Sequence, residues 1–128
     1  MSEKTQSGKI LVAEDQPASQ KLVQILLEKL GFEVTVVADG QAAVDAAVQG
    51  GFDLILMDMQ MPVISGYEAT RLLRSKGVTV PVIALTAHAM KGDERRFLSQ
   101  GMDDYVSKPI DNSVLFEVIN KYIPIFPG

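Results

Sequence analysis

Four short apolar runs and a weaker fifth recur along the chain, and their spacing constrains the fold more than any other feature. Continuous aliphatic runs of this length are typical of strands buried on both faces of a parallel sheet. About 16 to 24 residues separate successive runs, which is enough for a crossover helix and two loops. The predicted strands are Ile10–Ala13, Val34–Val37, Leu54–Met57, Val82–Leu85 and Tyr105–Ser107.

The segments between these runs carry helix signals. Pro17 suits a first helical turn, apolar residues then recur every three or four positions as far as Leu30, and Gly31 ends that helix. Five βα units therefore predict a single α/β domain, a (βα)5 doubly wound parallel sheet with helices on both faces. The further predicted helices run from Gln41 to about Gln49, from Gly66 to Lys76, from Lys91 to Gln100, and from an N-cap at Asp111 to Tyr122.

Composition narrows the chemistry that such a domain can perform. The absence of cysteine excludes a disulfide framework, thiol catalysis and cysteine-ligated zinc, and with one histidine any metal should be hard and oxygen-bound. A formal charge of −4 argues against direct binding of nucleic acid. No apolar run approaches the ~18 residues of a membrane-spanning helix, and the polar N-terminus lacks a signal-peptide core. We therefore expect a soluble cytoplasmic protein without membrane insertion.

Polar residues follow four of the five predicted strands, at the sheet edge where open α/β sheets bind ligands. Three carboxylates at one edge would repel one another, and Mg²⁺ would relieve that repulsion because it prefers oxygen ligands. A lysine followed by proline at a strand end also suggests a fixed, cis peptide bond. The residues are Glu14 and Asp15 after the first strand, Asp58 after the third, Thr86 after the fourth, and Lys108 with Pro109 after the fifth.

The stretches that contain these residues resemble the receiver domains of two-component response regulators. They read ILVAEDQP from residue 10, FDLILMDMQMPVISGYEATRLLR from residue 52, VIALTAHAM from residue 82 and GMDDYVSKPI from residue 101. Their wording is closest to the receivers of hybrid sensor histidine kinases. The resemblance covers residues 9–123, with a polar lead at 1–8 and a tail at 124–128. It implies a flavodoxin-like, five-stranded sheet in the order 2-1-3-4-5.

The resemblance also implies a phosphorelay function. Asp58 would be the nucleophile that accepts a phosphoryl group from a phosphohistidine of a histidine kinase or histidine phosphotransfer domain, assisted by Thr86 and Lys108. The domain would then lose the group by slow autodephosphorylation, acting as a signalling domain rather than as an enzyme in the usual sense. The implied ligands of Mg²⁺, with Mn²⁺ as an alternative, are Glu14 through water, Asp15, Asp58 and the main-chain carbonyl of Gln60.

The same resemblance predicts a conformational output. Movement of Thr86 toward the phosphoryl group would let Tyr105 rotate, which alters the face formed by the fourth helix, fifth strand and fifth helix, where an output partner would bind. Gln60 and His88 would flank the phosphoryl group and tune its lifetime, although His88 is equally compatible with a solvent-exposed loop. The HAMKG stretch at 88–92 mimics the phosphorylated motif of phosphotransfer domains, but it follows a strand instead of lying within a helix.

Three other functions compete with this interpretation. A haloacid-dehalogenase-like Mg²⁺-dependent phosphatase would need an acidic residue two positions after Asp58, where this chain has Gln60. A flavodoxin-like FMN protein would need a phosphate-binding loop, where AEDQPAS places two carboxylates. A degenerate receiver would lack some site residues, and all are present. Ser65 replaces an aspartate common in receivers, and with Val63 and Ile64 it makes the conformation of that loop uncertain.

Overall fold

Five parallel strands form one sheet in the computed structural model, which describes residues 8–87 and 93–123. The strand order is β2-β1-β3-β4-β5, so the order implied by the resemblance is confirmed. Each predicted strand is present and is one residue longer than predicted, and the added residues of β3 and β4 are Asp58 and Thr86. The strands are β1 Lys9–Ala13, β2 Glu33–Val37, β3 Leu54–Asp58, β4 Val82–Thr86 and β5 Asp104–Ser107.

Side-chain caps start three of the helices that connect the strands. Asp39 Oδ1 accepts a hydrogen bond from Ala42 N at 2.7 Å before α2, and Asp111 caps α5 as predicted. No helix in the described ranges is long and apolar enough to cross a membrane. The helices are α1 Pro17–Lys29, α2 Gly40–Gln49, α3 Gly66–Ser75, α4 Asp93–Ser99 and α5 Asn112–Tyr122. Thus α4 ends one residue before the predicted Gln100, and its predicted start at Lys91 lies outside the described residues.

Two apolar layers cover the sheet, because successive strand residues point to opposite faces. Leu11, Ile55 and Met57 belong to the cluster that includes residues of α2, α3 and α4. Ile10 and Leu56 belong to the cluster that includes residues of α1 and α5. Every residue of β3 and β4 is buried, so the polar residues at their carboxyl ends are held by a closely packed sheet.

The loop between β3 and α3 packs tightly against the end of β3. Gly66 N donates a hydrogen bond to Met59 O at 3.2 Å, and a Cβ atom on Gly66 would lie 2.3 Å from Asp58 O. Val63 adopts a positive φ of 73°, and Ile64 N donates to Pro62 O at 2.9 Å, which closes a three-residue turn. Val63 and Ile64, which differ from the residues common in receivers, therefore lie where the backbone forms this tight turn.

Ser65, the residue that departs from the usual receiver pattern, has a clear structural role. Its Oγ accepts a hydrogen bond from Glu68 N at 3.2 Å, so serine supplies the N-cap of α3. The substitution therefore preserves the helix start that orients the loop.

Arg74 connects three segments by hydrogen bonds near the amino ends of β4 and β5, away from the carboxyl ends that carry Asp58 and Thr86. Its guanidinium donates to the carbonyl oxygens of Gly101, Val78 and Val80 at 2.9, 2.9 and 2.8 Å. A fourth hydrogen bond, of 2.9 Å, reaches Asp103 Oδ2, which also accepts from the main chain of β4. The rigid fork of arginine is suited to satisfying several acceptors at once.

We expect the substitution Arg74→Lys to lower the free energy of unfolding by about 2 kcal/mol, because an ammonium group cannot reach all four acceptors. Urea denaturation followed by circular dichroism measures this change. The matched control is Arg71→Lys, since Arg71 makes an exposed ion pair with Glu68 that is worth well under about 1 kcal/mol. Equal stability of the two variants would contradict the structural role of Arg74.

Candidate functional site

The carboxyl ends of four strands bring the predicted site residues to one edge of the sheet. Asp15 follows β1, Asp58 and Thr86 are the last residues of β3 and β4, and Lys108 follows β5. These residues line one cleft with a volume of about 370 Å³. The cleft is also lined by Gln16, Met59, Gln60, Tyr67, Ala87 and Arg96.

Three carboxylates form a compact acidic cluster at this edge. One carboxylate oxygen each of Glu14, Asp15 and Asp58 lies within 4.8 Å of the other two. Glu14 is fully buried, Asp58 is 4 % exposed and Asp15 is half-buried. Negative charges this close repel one another, and burial removes the water that would screen them. The cluster is therefore chemically suited to hold a hard divalent cation.

The two carboxylate oxygens of Glu14 have different surroundings. Oε2 accepts a hydrogen bond from Gln16 N at 3.0 Å. Oε1 is buried and pairs with the Lys108 ammonium, whose Nζ lies 2.9 Å away. An ionised carboxylate oxygen can accept more than one hydrogen bond, so Oε1 can also accept one from a water molecule bound to a metal ion. This oxygen supports the fit of the cluster to a metal ion with its bound water.

Burial raises the pKa of Glu14, and the nearby Asp58 carboxylate acts in the same direction, while the Lys108 ammonium and the Gln16 amide oppose the shift. Ionisation of Glu14 therefore costs more free energy in the folded protein than in water. The protein tolerates this cost at the same place where its carboxylates can hold a cation.

Lys108 links two of the three carboxylates. Its Nζ lies 2.9 Å from Glu14 Oε1 and 3.1 Å from Asp58 Oδ2. Burial alone would lower the pKa of Lys108, but the carboxylates of Glu14 and Asp58 outweigh burial and raise it. Its main-chain N donates to Thr86 O at 2.7 Å, and its peptide bond to Pro109 is cis, as predicted. The structure thus presents a protonated amine beside the Asp58 carboxylate.

Asp58 receives one hydrogen bond on each carboxylate oxygen. Oδ1 accepts from Gln60 N at 3.1 Å and Oδ2 accepts from Lys108 Nζ at 3.1 Å. The hydrogen bond from Gln60 N reaches back two residues to Asp58, which shows that the chain turns directly after β3. The main chain of the turn is also anchored by Met59 N, which donates to Leu85 O in the neighbouring strand at 3.1 Å. These bonds fix the orientation of the carboxylate at the cleft.

The remaining predicted residues are placed differently from one another. Thr86 and Gln60 both line the cleft, and Thr86 is buried whereas Gln60 is exposed. Tyr105 is not among the residues that line the cleft; its half-buried ring packs against Phe97, with 5.3 Å between the ring centroids. His88 lies outside the described residues.

Sequence reasoning missed five residues of the cleft wall, and two of them carry polar side chains from helices, Tyr67 from α3 and Arg96 from α4. The other three are Gln16, Met59 and Ala87. The Arg96 guanidinium lies 5.6 Å from the centroid of the Tyr67 ring, and its Nη2 is 3.3 Å from Tyr67 Oη. The available signal was positional, since Tyr67 directly follows Gly66 and both helices begin near the edge where β3 and β4 end. The orientation of the two side chains depends on packing, which the sequence does not specify.

Comparison with known proteins gives the family. Residues 10–120 match the family described as "Response regulator receiver domain". The chain belongs to the response regulator receiver family. This receiver domain therefore has the phosphorelay signalling role that the motifs predicted, and the haloacid-dehalogenase-like alternative has no support.

Curated relatives of the receiver domain include hybrid kinases. It is 49 % identical over 124 residues to "Hybrid signal transduction histidine kinase I" of Dictyostelium discoideum, which covers 90 % of this chain and 7 % of that protein. It is 44 % identical over 123 residues to "Sensor protein GacS" of Pseudomonas syringae pv. syringae, covering 92 % and 14 %. The chain thus spans about a tenth of the length of these relatives, and the predicted similarity to hybrid-kinase receivers is confirmed.

Solved structures agree with this assignment. The receiver domain of sensor histidine kinase PA1611 from Pseudomonas aeruginosa PAO1, with a magnesium ion coordinated in its active-site cleft, superimposes with a TM-score of 0.83. That match has 43 % identity and covers 91 % of this chain and 98 % of the other. The co-crystal structure of the Saccharomyces cerevisiae phosphotransfer protein Ypd1 with the receiver domain of Ssk1 matches with a TM-score of 0.87, 29 % identity and coverages of 94 % and 92 %.

The raised pKa of Glu14 gives a pH-dependent prediction for the metal-free protein. A group whose folded pKa is raised contributes stability below its ordinary pKa, here 4.5, and loses that contribution as the pH rises through the folded value. Glu14→Gln removes this penalty, so we expect the variant to have a higher melting temperature than the unsubstituted protein at pH 7 in a chelator. The difference should shrink as the pH falls toward about 4.

Scanning calorimetry at several pH values measures this difference. Glu28→Gln, which changes an exposed carboxylate on α1, is the control and should leave the melting temperature nearly unchanged at every pH. A lower melting temperature for Glu14→Gln than for the unsubstituted protein at pH 7 would contradict the account of the buried carboxylate.

Proposed function

We propose that this receiver domain accepts a phosphoryl group on Asp58, in an Mg²⁺-dependent transfer from a phosphohistidine of a histidine kinase or histidine phosphotransfer domain. The observation that carries the proposal is the environment of the Asp58 carboxylate. It lies in a cleft, 3.1 Å from the Lys108 ammonium and within reach of two further carboxylates. The names of the relatives and the Ypd1 complex support the same class of donor.

In the transfer, an oxygen of ionised Asp58 attacks the phosphorus of the donor in line with the bond that breaks. A P–O bond forms, the P–N bond breaks, and its electron pair remains on the ring nitrogen, so a protonated donor ring departs as neutral imidazole. A carboxylate nucleophile has no proton to lose, so the transfer needs no general base. The chain contributes mainly position and charge, which are the principal requirements of phosphoryl transfer.

We infer that Asp15, Asp58 and the main-chain carbonyl of Gln60 would hold Mg²⁺, with Glu14 acting through a water molecule. The close cluster of the Glu14, Asp15 and Asp58 carboxylates supports this arrangement, and Mn²⁺ has compatible oxygen chemistry. A bound Mg²⁺ would neutralise part of the charge that develops on the phosphoryl oxygens. The magnesium-containing cleft of the PA1611 receiver supports the choice of metal.

Lys108 and Thr86 complete the proposed phosphoryl site. The Lys108 ammonium, which now contacts Asp58 Oδ2, would pair with a phosphoryl oxygen as a point cation. The Thr86 hydroxyl, at the end of β4, would donate a hydrogen bond to another. Slow autodephosphorylation would follow when water reaches the phosphorus through the cleft. Gln60, which lines the cleft, and His88, which lies outside the described residues, are proposed to tune the lifetime of the phosphoryl group.

The proposed output follows from the position of Thr86 beside β5. Thr86 pairs with Ser107 in the sheet register, two residues after Tyr105, so movement at the end of β4 is transmitted to the neighbouring strand. Rotation of Tyr105 would then change the face formed by α4, β5 and α5, where the output partner is proposed to bind. Phosphorylation biases this equilibrium because it adds negative charge at Asp58.

We expect incubation with Mg²⁺ and a small phosphodonor to add one phosphoryl group, measured by intact mass spectrometry. Asp58→Asn should abolish the addition because an amide is not a nucleophile, and a chelator should reduce its rate by at least about tenfold. Asp45→Asn, which changes an exposed carboxylate on α2, is the matched control and should be labelled like the unsubstituted protein.

The bond should be stable in acid and labile in alkali, as is characteristic of an acyl phosphate. Equal labelling of the Asp58→Asn variant would overturn Asp58 as the acceptor. Labelling that is independent of Mg²⁺ would overturn the role of the metal.

A further inference from the structure

Arg96 lines the same cleft as Asp58, although it belongs to α4 rather than to a strand end. Among the described residues that line the cleft, the cations are Lys108 and Arg96. Lys108 is already paired with Glu14 and Asp58 in this structure. Lys108 follows β5, whereas Arg96 belongs to α4, so the two positive charges reach the cleft from different elements of the fold.

Tyr67 orients the Arg96 side chain. The guanidinium lies 5.6 Å from the centroid of the Tyr67 ring, at cation–π distance, and its Nη2 lies 3.3 Å from Tyr67 Oη. An exposed arginine normally samples many rotamers, and these contacts limit that freedom. Because Tyr67 itself lines the cleft, the contacts place the positive charge at the cleft wall.

The neighbouring residue fixes the position of α4. Phe97 is 2 % exposed, and its ring packs between those of Tyr67 and Tyr105, at centroid distances of 6.1 and 5.3 Å. Burial of this aromatic side chain resists rotation of α4. Arg96 therefore extends toward the cleft from a helix that the aromatic stack holds in place.

The charges at the site show what a second cation would do. Glu14, Asp15 and Asp58 contribute three negative charges, which Lys108 and a bound divalent cation would balance. Phosphorylation replaces the single charge of Asp58 with about −1.5 to −2. The phosphorylated site would thus carry up to about one negative charge in excess. Arg96 supplies the opposite charge at the same cleft.

We propose that Arg96, held against Tyr67, is a second cation of the phosphoryl site that selectively stabilises the phosphorylated state of Asp58. This inference rests on the proposed function, because it requires a phosphoryl group at Asp58. It adds a residue of α4 to a site otherwise built from strand ends. Arg96 acts by neutralising charge, so its effect on an anion in the cleft is opposite to its effect on a cation there.

The test uses two probes of opposite charge on the full chain. The beryllium trifluoride anion, a tetrahedral mimic of a phosphoryl group on a carboxylate, is titrated in the presence of saturating Mg²⁺ and followed by fluorine NMR. Mg²⁺ alone is titrated by calorimetry. We expect Arg96→Gln to weaken binding of the anion by about threefold to tenfold and to leave Mg²⁺ binding unchanged or up to about twofold tighter.

Arg95→Gln is the matched control, because Arg95 is an exposed neighbour on α4 that does not line the cleft and loses the same formal charge. It should bind both probes within about twofold of the unsubstituted protein. Arg96→Lys retains the charge and should recover part of the affinity for the anion.

The outcomes separate this inference from the proposed function. Equal affinity of Arg96→Gln and Arg95→Gln for the anion would overturn the role of Arg96 and leave the phosphoacceptor intact. Weaker binding of both probes by Arg96→Gln would also overturn it, because that pattern indicates a damaged site rather than a missing charge. Failure of the unsubstituted protein to bind the anion would instead overturn the proposed function itself.

Discussion

The electrostatic conflict between buried carboxylates organises this domain. Glu14 and Asp58 lie side by side at the ends of adjacent strands, and Lys108 bridges them at 2.9 and 3.1 Å. A fold selected only for stability would have replaced these charges with apolar side chains, since buried ion pairs seldom repay their desolvation. Here the conflict holds the Asp58 carboxylate beside two further carboxylates and an ammonium group, an arrangement suited to a divalent cation and to phosphoryl chemistry.

The aromatic residues extend this site across the surface of the domain. Tyr67 forms part of the cleft wall, Phe97 is a buried residue of α4, and Tyr105 belongs to β5. Their rings pack against one another in that order, so the cleft that contains Asp58 is connected to β5 at the edge of the sheet. A structural change caused by new charge at Asp58 could therefore pass through side chains that contact one another, from the cleft wall to β5.

The sequence predicts the strands and the strand-end residues because both depend on local patterns. Buried strands require unbroken apolar runs, and a parallel sheet brings their carboxyl ends to one edge, which is enough to bring together Asp58, Thr86 and Lys108. Arg96 was not predictable, because its direction depends on how α4 packs through Phe97. Nor was the positive φ of Val63, since a β-branched residue gives no local signal for that conformation.

The position of Arg74 has a consequence for how sequences of this kind can change. It fastens the amino ends of β4 and β5, whereas the charged cleft lies at the carboxyl ends of the strands. The charged cleft and the hydrogen bonds that connect β4 and β5 through Arg74 thus lie at opposite ends of the strands. Substitutions around the charged cleft can therefore accumulate without disturbing the Arg74 hydrogen bonds that hold the amino ends of β4 and β5.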